Sequence, residues 1–408
     1  METWKKIRLG SACRTNTDSY SPKEKWDFVN YLDTGNITNN TIDSIQFIDL
    51  TKEKLPSRAR RKVRTDSIVY STVRPNQHHF GIIKSQPENF LVSTGFTVID
   101  VDTNVLNADF LYYLLTQNTL VEALHAIAEQ STSAYPSIKP SDIENLEIEI
   151  PDILTQKKIA NILNSLDGKV TQNNEINKNL EQQAQTIFKS WFVDFEPFGG
   201  VQPSEMQFIP LQELCKVVTK GTTPTTLGKS FTNSGINFIK AESIHDNHSI
   251  DSSKFAFIDE ETNALLKRSI IKANDIVFTI AGTLGRFAMI DNSMLPANTN
   301  QAVAIIRPDE TKVTPAYLYS FFIGNWHNEY YSKRIQQAVQ ANLSLTTIKS
   351  LPIAVLNDTT MSNYDKLVSP LFALMKNNEE ENRRLSKLRD TLLPKLMSGE
   401  LDVSDIDF

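Results

Sequence analysis

The stretch IANILNSLDGKVTQNNEINKNLEQQAQTIFKSW, residues 159–191, decides the fold. Apolar residues and two asparagines recur in it at alternating spacings of four and three, which is the heptad pattern of a helix that pairs with another helix. We call the residues at these spacings a seam. The chain contains a second seam with the same spacing, and its two asparagines occupy the same two positions in the series. The seam positions are Ile159, Leu163, Leu166, Val170, Asn173, Asn177, Leu180, Ala184, Ile187 and Trp191, and then Tyr364, Val368, Leu371, Met375, Asn378, Asn382, Leu385, Arg389, Leu392 and Leu396.

The matched asparagines favour antiparallel pairing of the two helices. In that arrangement Asn173 faces Asn382 and Asn177 faces Asn378, so four amides form one polar block that fixes the register. Parallel pairing would also match asparagine with asparagine, but two similar domains tethered at corresponding ends favour the antiparallel form. Pro394 is expected to kink or end the second helix. The predicted core of the pair is Leu163, Leu166, Val170, Asn173, Asn177, Leu180, Val368, Leu371, Met375, Asn378, Asn382 and Leu385.

Short segments outside the seams also occur twice in the sequence, and this internal repeat indicates two similar domains. IRLGSAC at 7 recurs as IPLQELC at 209, and VNYLDTGNI at 29 recurs as INFIKAESI at 236. DSIVYS at 66 recurs as NDIVFT at 274, and ADFLYYLL at 108 recurs as PAYLYSFF at 315. Cys13 and Cys215 fall at the same place in their copies, so we expect them to occupy equivalent core positions.

Each copy predicts a mixed domain. DFVNYL, DSIVYS, FGIIK and FTVIDV in the first copy are rich in β-branched and aromatic residues and predict strands. ADFLYYLLTQNTLVEALHAIA predicts a helix that starts at Asp109, and LEIEIP predicts a last strand. The sequence therefore predicts an α+β fold: two similar mixed α/β domains (1–152 and 198–357) in a pseudo-two-fold arrangement, separated by two long helices (153–197 and 358–408) that form an antiparallel coiled coil.

Composition is typical of a soluble globular protein. The chain has 408 residues, of which 40% are hydrophobic and 22% are charged. No apolar run is long enough for a membrane span, and the first residues, METWKKIRLG, lack the core of a signal peptide. Two cysteines cannot build a disulfide framework or a zinc site, so we expect a cytoplasmic protein.

The sequence shows none of the common catalytic motifs. KGTTPTTLGKS at 220–230 ends like a phosphate-binding loop, but Thr223 stands where that loop requires its first glycine. PDETK at 308 crowds the acidic residues that a metal-dependent nuclease separates by a strand. No Asn-Pro-Pro-aromatic or Asp-Pro-Pro-aromatic segment of an amino-methyltransferase is present, and no Gly-x-Ser-x-Gly elbow is present.

A basic run stands out against the net charge of −6. Residues 52–64, KEKLPSRARRKVR, carry seven basic residues and one acidic residue. Such a run is either a solvated surface loop or a segment that contacts phosphates.

Taken together, the chain resembles the specificity subunit of a type I restriction–modification enzyme. The most specific segments are KGTTPTT at the start of the second domain, LTQKKIANILNSLDGKV at the start of the first helix, and the ending LRDTLLPKLMSGELDV. The first copy departs from the pattern, because CRTNTDSYSP stands there in place of KGTTPTT.

The resemblance implies two target recognition domains, each of which reads one half of a split sequence in double-stranded DNA. It also implies that the paired helices space these domains and dock two methylation subunits, and that restriction subunits join them. S-adenosylmethionine, ATP and Mg²⁺ would be bound by those partners, and this chain would be non-catalytic and hold no metal or cofactor.

On the interpretation that the chain is a specificity subunit, basic and hydroxyl side chains are the candidate DNA contacts. Those assigned mainly to phosphates are Arg58, Arg60, Arg61, Lys62 and Arg64, and those of the KGTTPTT loop are Lys220, Thr222 and Thr223. Candidates that face a groove are Arg74, His78, Lys229 and Arg286. The alternative is a non-catalytic two-headed scaffold that binds proteins; a self-contained nuclease or methyltransferase is third, since no acid cluster or cofactor loop supports it.

Overall fold

The computed structural model describes residues 4–131, 135–326 and 343–406. The chain separates into two compact units. Unit 1 comprises Met1–Thr171 and Asn382–Phe408, and unit 2 comprises Gln172–Glu381. Each unit therefore holds one of the two sequence repeats together with about half of each long helix.

Two 40-residue helices dominate the helical content. The α-helices of the described residues are α1 (Ala108–Leu115), α2 (Asn118–Glu129), α3 (Pro140–Glu144), α4 (Ile153–Phe192), α5 (Glu260–Leu265), α6 (Pro315–Ile323), α7 (Leu345–Lys349) and α8 (Asp358–Met397). Asp152 caps the start of α4, because its carboxylate accepts the Leu154 N–H at 2.8 Å. No helix in the described parts of the chain has the length and apolar character required to cross a membrane.

Unit 1 contains two four-stranded sheets, in the orders β6-β3-β10-β7 and β2-β11-β8-β9. β1 pairs with β12, and β4 pairs with β5. The strands are β1 (Lys5–Arg8), β2 (Cys13–Thr15), β3 (Phe28–Leu32), β4 (Ile37–Thr38), β5 (Thr41–Ile42), β6 (Gln46–Asp49), β7 (Ala59–Arg61), β8 (Ser67–Ser71), β9 (Phe80–Ile83), β10 (Phe90–Ser93), β11 (Phe96–Val101) and β12 (Glu147–Ile150).

Unit 2 repeats most of this topology, with three strands in place of four in one sheet. Its sheets have the orders β14-β20-β17-β18, β16-β15-β19 and β13-β21. The strands are β13 (Gln207–Pro210), β14 (Cys215–Lys220), β15 (Ile236–Ile239), β16 (Ala256–Ile258), β17 (Ile276–Thr279), β18 (Phe287–Met289), β19 (Ala297–Thr299), β20 (Val303–Pro308) and β21 (Pro352–Val355). The order β2-β11-β8-β9 thus corresponds strand by strand to β14-β20-β17-β18.

Residue pairing shows that the two sheets match in register as well as in order. Cys13 lies opposite Val101 at the end of β11, and Cys215 lies opposite Pro308 at the end of β20. The two cysteines therefore occupy the equivalent positions that the sequence repeat predicts. Apolar residues from the sheets, the short helices and the long helices form one main core in each unit, whose burial supplies the dominant stabilising term.

Inside unit 2 the long helices run antiparallel. Asn378 Nδ2 donates to Asn177 Oδ1 at 2.8 Å, which is the pairing required by the predicted register. Asn173 donates to Glu381 at 2.7 Å, one residue before the predicted Asn382, which belongs to unit 1. Residue numbers rise along α4 as they fall along α8, so the parallel alternative does not hold here.

Unit 1 shows the same direction of pairing. Arg389 donates to Asp167 at 2.8 Å, and Lys158 donates to the Ser404 carbonyl at 2.6 Å. Leu163 and Leu396 are buried in the core of this unit. The charged Arg389 can occupy a seam position because Asp167 pairs with its guanidinium group.

One helix prediction is wrong, and a second is wrong in one of its two alternatives. The helix predicted to start at Asp109 is two helices, because the chain breaks between α1 and α2 at Thr116–Gln117. Pro394 does not end α8, which continues to Met397. Leu396 and Met397 are buried in the core of unit 1, and this packing holds the last turn in place despite the proline.

The asparagine pair allows a direct test of the helix seam. Asn378→Leu should lower the free energy of unfolding in urea by about 1–3 kcal/mol, because it leaves the amide oxygen of the half-buried Asn177 without its donor, while the Asn177 Nδ2 keeps its bond to the Met375 carbonyl. The double variant Asn177→Leu/Asn378→Leu should recover most of that loss, since both polar groups are then removed. Asn161→Leu, at an exposed position of α4, is the matched control. A double variant less stable than the single one would contradict the pairing.

Candidate nucleic-acid interface

In unit 1 the basic run and the β8–β9 loop meet at the turn between β10 and β11. The Arg58 carbonyl accepts the Thr94 N–H at 2.8 Å. The Thr72 N–H and the Thr72 hydroxyl both donate to the Gly95 carbonyl at 2.8 Å. This junction turn, Thr94–Gly95 in unit 1, therefore fixes both segments side by side, although they are distant from it in the sequence.

The basic run contributes β7, whose alternation sorts its side chains by face. Ala59 is buried, Arg60 is exposed, and β7 is the last strand of its sheet. Arg58 and Arg64, on either side of β7, are also exposed. Within the described residues, the guanidinium groups of Arg58, Arg60 and Arg64 make no hydrogen bond or ion pair, so their charge is available to a ligand.

Two other members of the run are anchored to the protein. Lys62 forms an ion pair with Glu24 at 2.5 Å, and its ammonium lies 5.4 Å from the centre of the Trp26 ring. The hydrogen bond from Lys62 lowers the pKa of Glu24 below its usual value, so this carboxylate stays charged. Arg61 is half-buried, and burial lowers the pKa of its guanidinium group. Neither side chain is as accessible to a phosphate as the sequence alone predicts.

Arg74 and His78 lie in the β8–β9 loop and differ in exposure. Arg74 is exposed, and its guanidinium carbon lies 5.4 Å from the centre of the Tyr135 ring. His78 is half-buried edge-on against Phe80, with ring centres 5.5 Å apart. Burial, and then the charge of His79, lower the pKa of His78, so its imidazole is neutral at pH 7. His78 can donate or accept a hydrogen bond, but it adds no positive charge.

Unit 2 organises its candidate residues around the equivalent junction turn, Gln301–Ala302. The Ile280 N–H donates to the Ala302 carbonyl at 2.8 Å, as Thr72 does to Gly95 in unit 1. The Thr223 hydroxyl donates to the Gln301 side chain. The KGTTPTT segment therefore packs on the same turn of the fold that holds Arg58 in unit 1.

A second basic stretch, LKRSIIK at 266–272, reaches this site and was missed in the sequence. Lys267 and Arg268 are exposed, and Arg268 donates to the Thr222 hydroxyl at 3.3 Å. Ile271 forms a bridge to Ala297 of β19, at the edge where β7 pairs with β10 in unit 1. The position of the first basic run within its repeat was the signal that could have identified this stretch.

The remaining candidate residues of unit 2 differ in whether an acidic side chain already pairs with them. Lys220 is exposed at the end of β14. Lys229 forms an ion pair with Glu261 at 2.7 Å. Arg286 holds both carboxylate oxygens of Asp246 at 2.7 Å, through Nε and Nη2. Lys229 and Arg286 would have to exchange an internal carboxylate for a DNA group, whereas Lys220 would not.

The described parts of the chain show no cluster of three or more histidine, cysteine or acidic residues that could hold a metal ion. Burial raises the pKa of the Cys13 thiol to about 11 and that of Cys215 to about 12. Both thiols are therefore protonated at neutral pH and are poor nucleophiles. The surface chemistry at the junction turns suits binding through positive charge and hydrogen bonds.

Comparison with known proteins gives matches along nearly the whole chain. The family described as type I restriction modification DNA specificity domain matches residues 1–182 and 203–358. The type I restriction enzyme HindI specificity subunit of Haemophilus influenzae is 26% identical over 474 residues, covering 98% of this chain and 100% of that protein. The type I restriction enzyme MjaIX specificity subunit of Methanocaldococcus jannaschii is 26% identical over 428 residues, covering 98% of this chain and 94% of that protein.

A solved structure shares the fold. The type I restriction–modification system S subunit from M. genitalium aligns with a TM-score of 0.59 and 17% identity. The alignment covers 97% of this chain and 96% of that chain.

Proposed function

Because the chain belongs to the type I restriction–modification DNA specificity family, as a specificity subunit with two repeated recognition domains, we propose that each unit reads one half of a bipartite target in double-stranded DNA. The observation that carries this proposal is the junction turn, which gathers exposed basic side chains at the same place in both repeats. Relatives named as specificity subunits are the recognition part of such systems and not their catalytic part.

The exposed arginines of unit 1 suit the phosphate backbone. Arg58, Arg60 and Arg64 are exposed and form no ion pair within the described residues, and phosphate contacts need charge more than they need a fixed side-chain geometry. In unit 2, Lys220, Lys267 and Arg268 take that role. The ion-paired Lys62, Lys229 and Arg286 contribute less to the net attraction.

The partners follow from the same family. We propose that two methylation subunits dock on the paired helices, that restriction subunits join them, and that the assembly works in the cytoplasm. Leu367 and Leu374 support a docking role, because these exposed leucines lie seven residues apart on α8 and so share a face. S-adenosylmethionine for adenine methylation, and ATP and Mg²⁺ for restriction, would be bound by those subunits.

Salt dependence tests the phosphate assignment. Replacing Arg58, Arg60 and Arg64 with alanine should weaken binding to target and random duplexes alike. It should flatten the slope of log K against log salt concentration by about 0.9 for each lost phosphate contact. Equilibrium titration of labelled duplexes between low and moderate salt measures both effects.

Lys62→Ala is the matched control, since it removes one charge from the same run but a charge already paired with Glu24. It should change the slope less than any one of the three arginine substitutions. An unchanged slope in the triple variant would show that the run faces away from DNA. A wild-type chain that binds no DNA at any salt concentration would favour the protein-binding scaffold instead.

A further inference from the structure

The β8–β9 loop of unit 1 holds two non-glycine residues in a backbone conformation that favours glycine. Arg74 has φ 47° and His78 has φ 56°. Their equivalents in the β17–β18 loop of unit 2 are Gly282 at φ 77° and Gly285 at φ 84°. The equivalence follows from the strand registers, in which Tyr70 faces Phe80 as Phe278 faces Phe287. Unit 1 therefore has Arg74 and His78 at two positions with positive φ, where glycine, as found in unit 2, adopts the backbone conformation more easily.

Hydrogen bonds fix this loop, residues 72–79, from three sides. The Arg74 N–H donates to the Pro136 carbonyl at 3.0 Å, and the Ile138 N–H donates to the Thr72 carbonyl at 2.9 Å. On the other side, the Asn39 N–H donates to the His78 carbonyl at 2.9 Å. With the Thr72 bonds to the junction turn, these contacts give the loop one defined backbone shape before any ligand binds.

The side chains that this shape presents to solvent match base edges. Arg74, Asn76 and Gln77 are exposed, while Pro75 between them is buried. Arginine fits the two acceptors of guanine, and asparagine or glutamine fits the acceptor and donor of adenine in the major groove. Within the described residues, the side chains of Asn76 and Gln77 make no hydrogen bond, so their amides are available.

We propose that residues 72–79 form a preorganised base-reading loop, in which Arg74 binds a guanine edge and Asn76 with Gln77 bind an adjacent adenine. The proposal rests on the proposed function and deepens it by assigning the reading groups of one half-site. Arg58, held on the same junction turn, would contact the neighbouring phosphate backbone and set the loop against the groove.

Phosphate binding alone explains the loop poorly. Neutral amides add little to the attraction of a phosphate, and an arginine needs no left-handed backbone to reach one. Tyr135 braces the Arg74 guanidinium, which restricts its orientation. A fixed orientation of the guanidinium group favours bidentate hydrogen bonding to a base, because both N–H groups must be aligned with their acceptors at the same time.

The test uses the full chain co-expressed with the methylation subunit that it serves. Mapping methylated adenines for the wild-type complex defines the bipartite target. Binding is then measured for that target and for duplexes in which each recognised base pair is changed singly. A wild-type complex with no bipartite target would be a failure of the proposed function, and it would be distinct from a failure of the loop assignment.

Three variants test the loop itself. Asn76→Ala/Gln77→Ala should lower the preference at one adenine position of one half-site by about 5- to 100-fold and leave the other half-site unchanged. Arg74→Lys keeps the charge but loses the guanidinium fork, and should lower the preference at an adjacent guanine by a similar factor. Arg74→Gly should do the same while raising the thermal unfolding midpoint, because glycine adopts this backbone freely.

The opposite signs expected for Arg74→Gly separate reading from a structural role. A residue kept only for folding would lower the unfolding midpoint when replaced. Unchanged preference at every base pair in all three variants would overturn the proposal. A uniform loss of affinity across all duplexes would also overturn it, since that is the behaviour of phosphate contacts.

Discussion

Replacing Gly221 with alanine should destabilise unit 2 by about 3 kcal/mol and remove most of its contribution to DNA binding. A Cβ atom at this position would lie 1.9 Å from the Thr299 carbonyl oxygen and 2.5 Å from the Asn300 carbonyl oxygen. Both obstacles are backbone atoms, which cannot rotate aside as a side chain can. Something in the sheet or in the KGTTPTT segment must therefore shift.

Of the two segments that meet at Gly221, the sheet that contains Thr299 is less able to move than the KGTTPTT segment. Thr299 is fully buried in β19, and its hydroxyl donates to the Ile239 carbonyl at 2.7 Å. The displaced part would be the segment that carries Thr222 and Thr223, along with the contact between Arg268 and Thr222. We expect lower unfolding free energy in urea together with loss of binding to the half-site read by unit 2.

Two other glycines provide controls, because replacement by alanine should stabilise the protein at one of them and destabilise it at the other. Gly168 lies in α4 with no heavy atom within 4 Å of an added Cβ, so Gly168→Ala should stabilise the protein by up to about 1 kcal/mol. Gly228 has equally open surroundings but φ +69°, so Gly228→Ala should cost about 1 kcal/mol through its backbone alone. A Gly221→Ala protein no less stable than Gly228→Ala would contradict the close approach.

Features that repeat along the sequence could be predicted because two observations constrained each of them. The heptad spacing gave the seam, and the matched asparagines gave its direction, which the Asn177–Asn378 bond shows in unit 2. The strand segments were visible twice, and Cys13 and Cys215 occupy equivalent register positions. Repetition supplied the information that a single local pattern lacks.

Features that depend on partners distant in sequence could not be predicted. Glu24, Glu261 and Asp246 neutralise three of the candidate basic residues, and no spacing rule links these pairs. LKRSIIK is too short to stand out as a basic run, and its position follows from the pairing of Ile271 with Ala297 and the hydrogen bond from Arg268 to Thr222. The break after α1 could not be predicted either, because apolar residues follow helical spacing on both sides of Thr116 and Gln117.

The two repeats also fill one interior position with different chemistry. In unit 1 the Ser67 hydroxyl donates to Asp100 at 2.5 Å. In unit 2 the equivalent pair is Asp275, which is fully buried, and Arg307, which is partly exposed; two hydrogen bonds of 2.7 Å join them. Each solution satisfies its buried polar groups, so the backbone can be the same while the residues differ. This explains why the topology is more alike than the sequences of the two copies.

The shared backbone makes an exchange of recognition segments the most demanding test of function. Replacing residues 200–355 with a second copy of residues 1–150, with both long helices unchanged, should give a target made of two copies of one half-site. That half-site should be one of the two in the natural target, and the other should disappear. Mapping of methylated adenines reads the result directly.

The ends of the two segments favour such an exchange. β1 pairs with β12 from Lys5–Ile150 to Arg8–Glu147, and β13 pairs with β21 from Gln207–Val355 to Pro210–Pro352. Both segments therefore enter and leave the fold on adjacent antiparallel strands. The junctions of the graft fall at places that already have matching geometry.

One interior contact should be adjusted in the graft. Ser320 of α6 is fully buried, its hydroxyl donates to the Ala316 carbonyl at 2.8 Å, and it lies close to Tyr364 of α8. Tyr113 is the equivalent of Ser320 in the first repeat. The grafted copy should carry Tyr113→Ser to avoid placing a second large ring there. Phe110 can stay, because its equivalent Tyr317 already packs an aromatic ring 5.1 Å from Phe192.

Adding Arg74→Lys to one or both copies turns the graft into an internal control. A change in the inserted copy alone should relax one half-site, and a change in both should relax both at the same base pair. Retention of the natural second half-site would show that recognition does not reside in residues 200–355. A graft that unfolds at the wild-type midpoint but methylates nothing would contradict the proposal that each repeat reads its half-site independently.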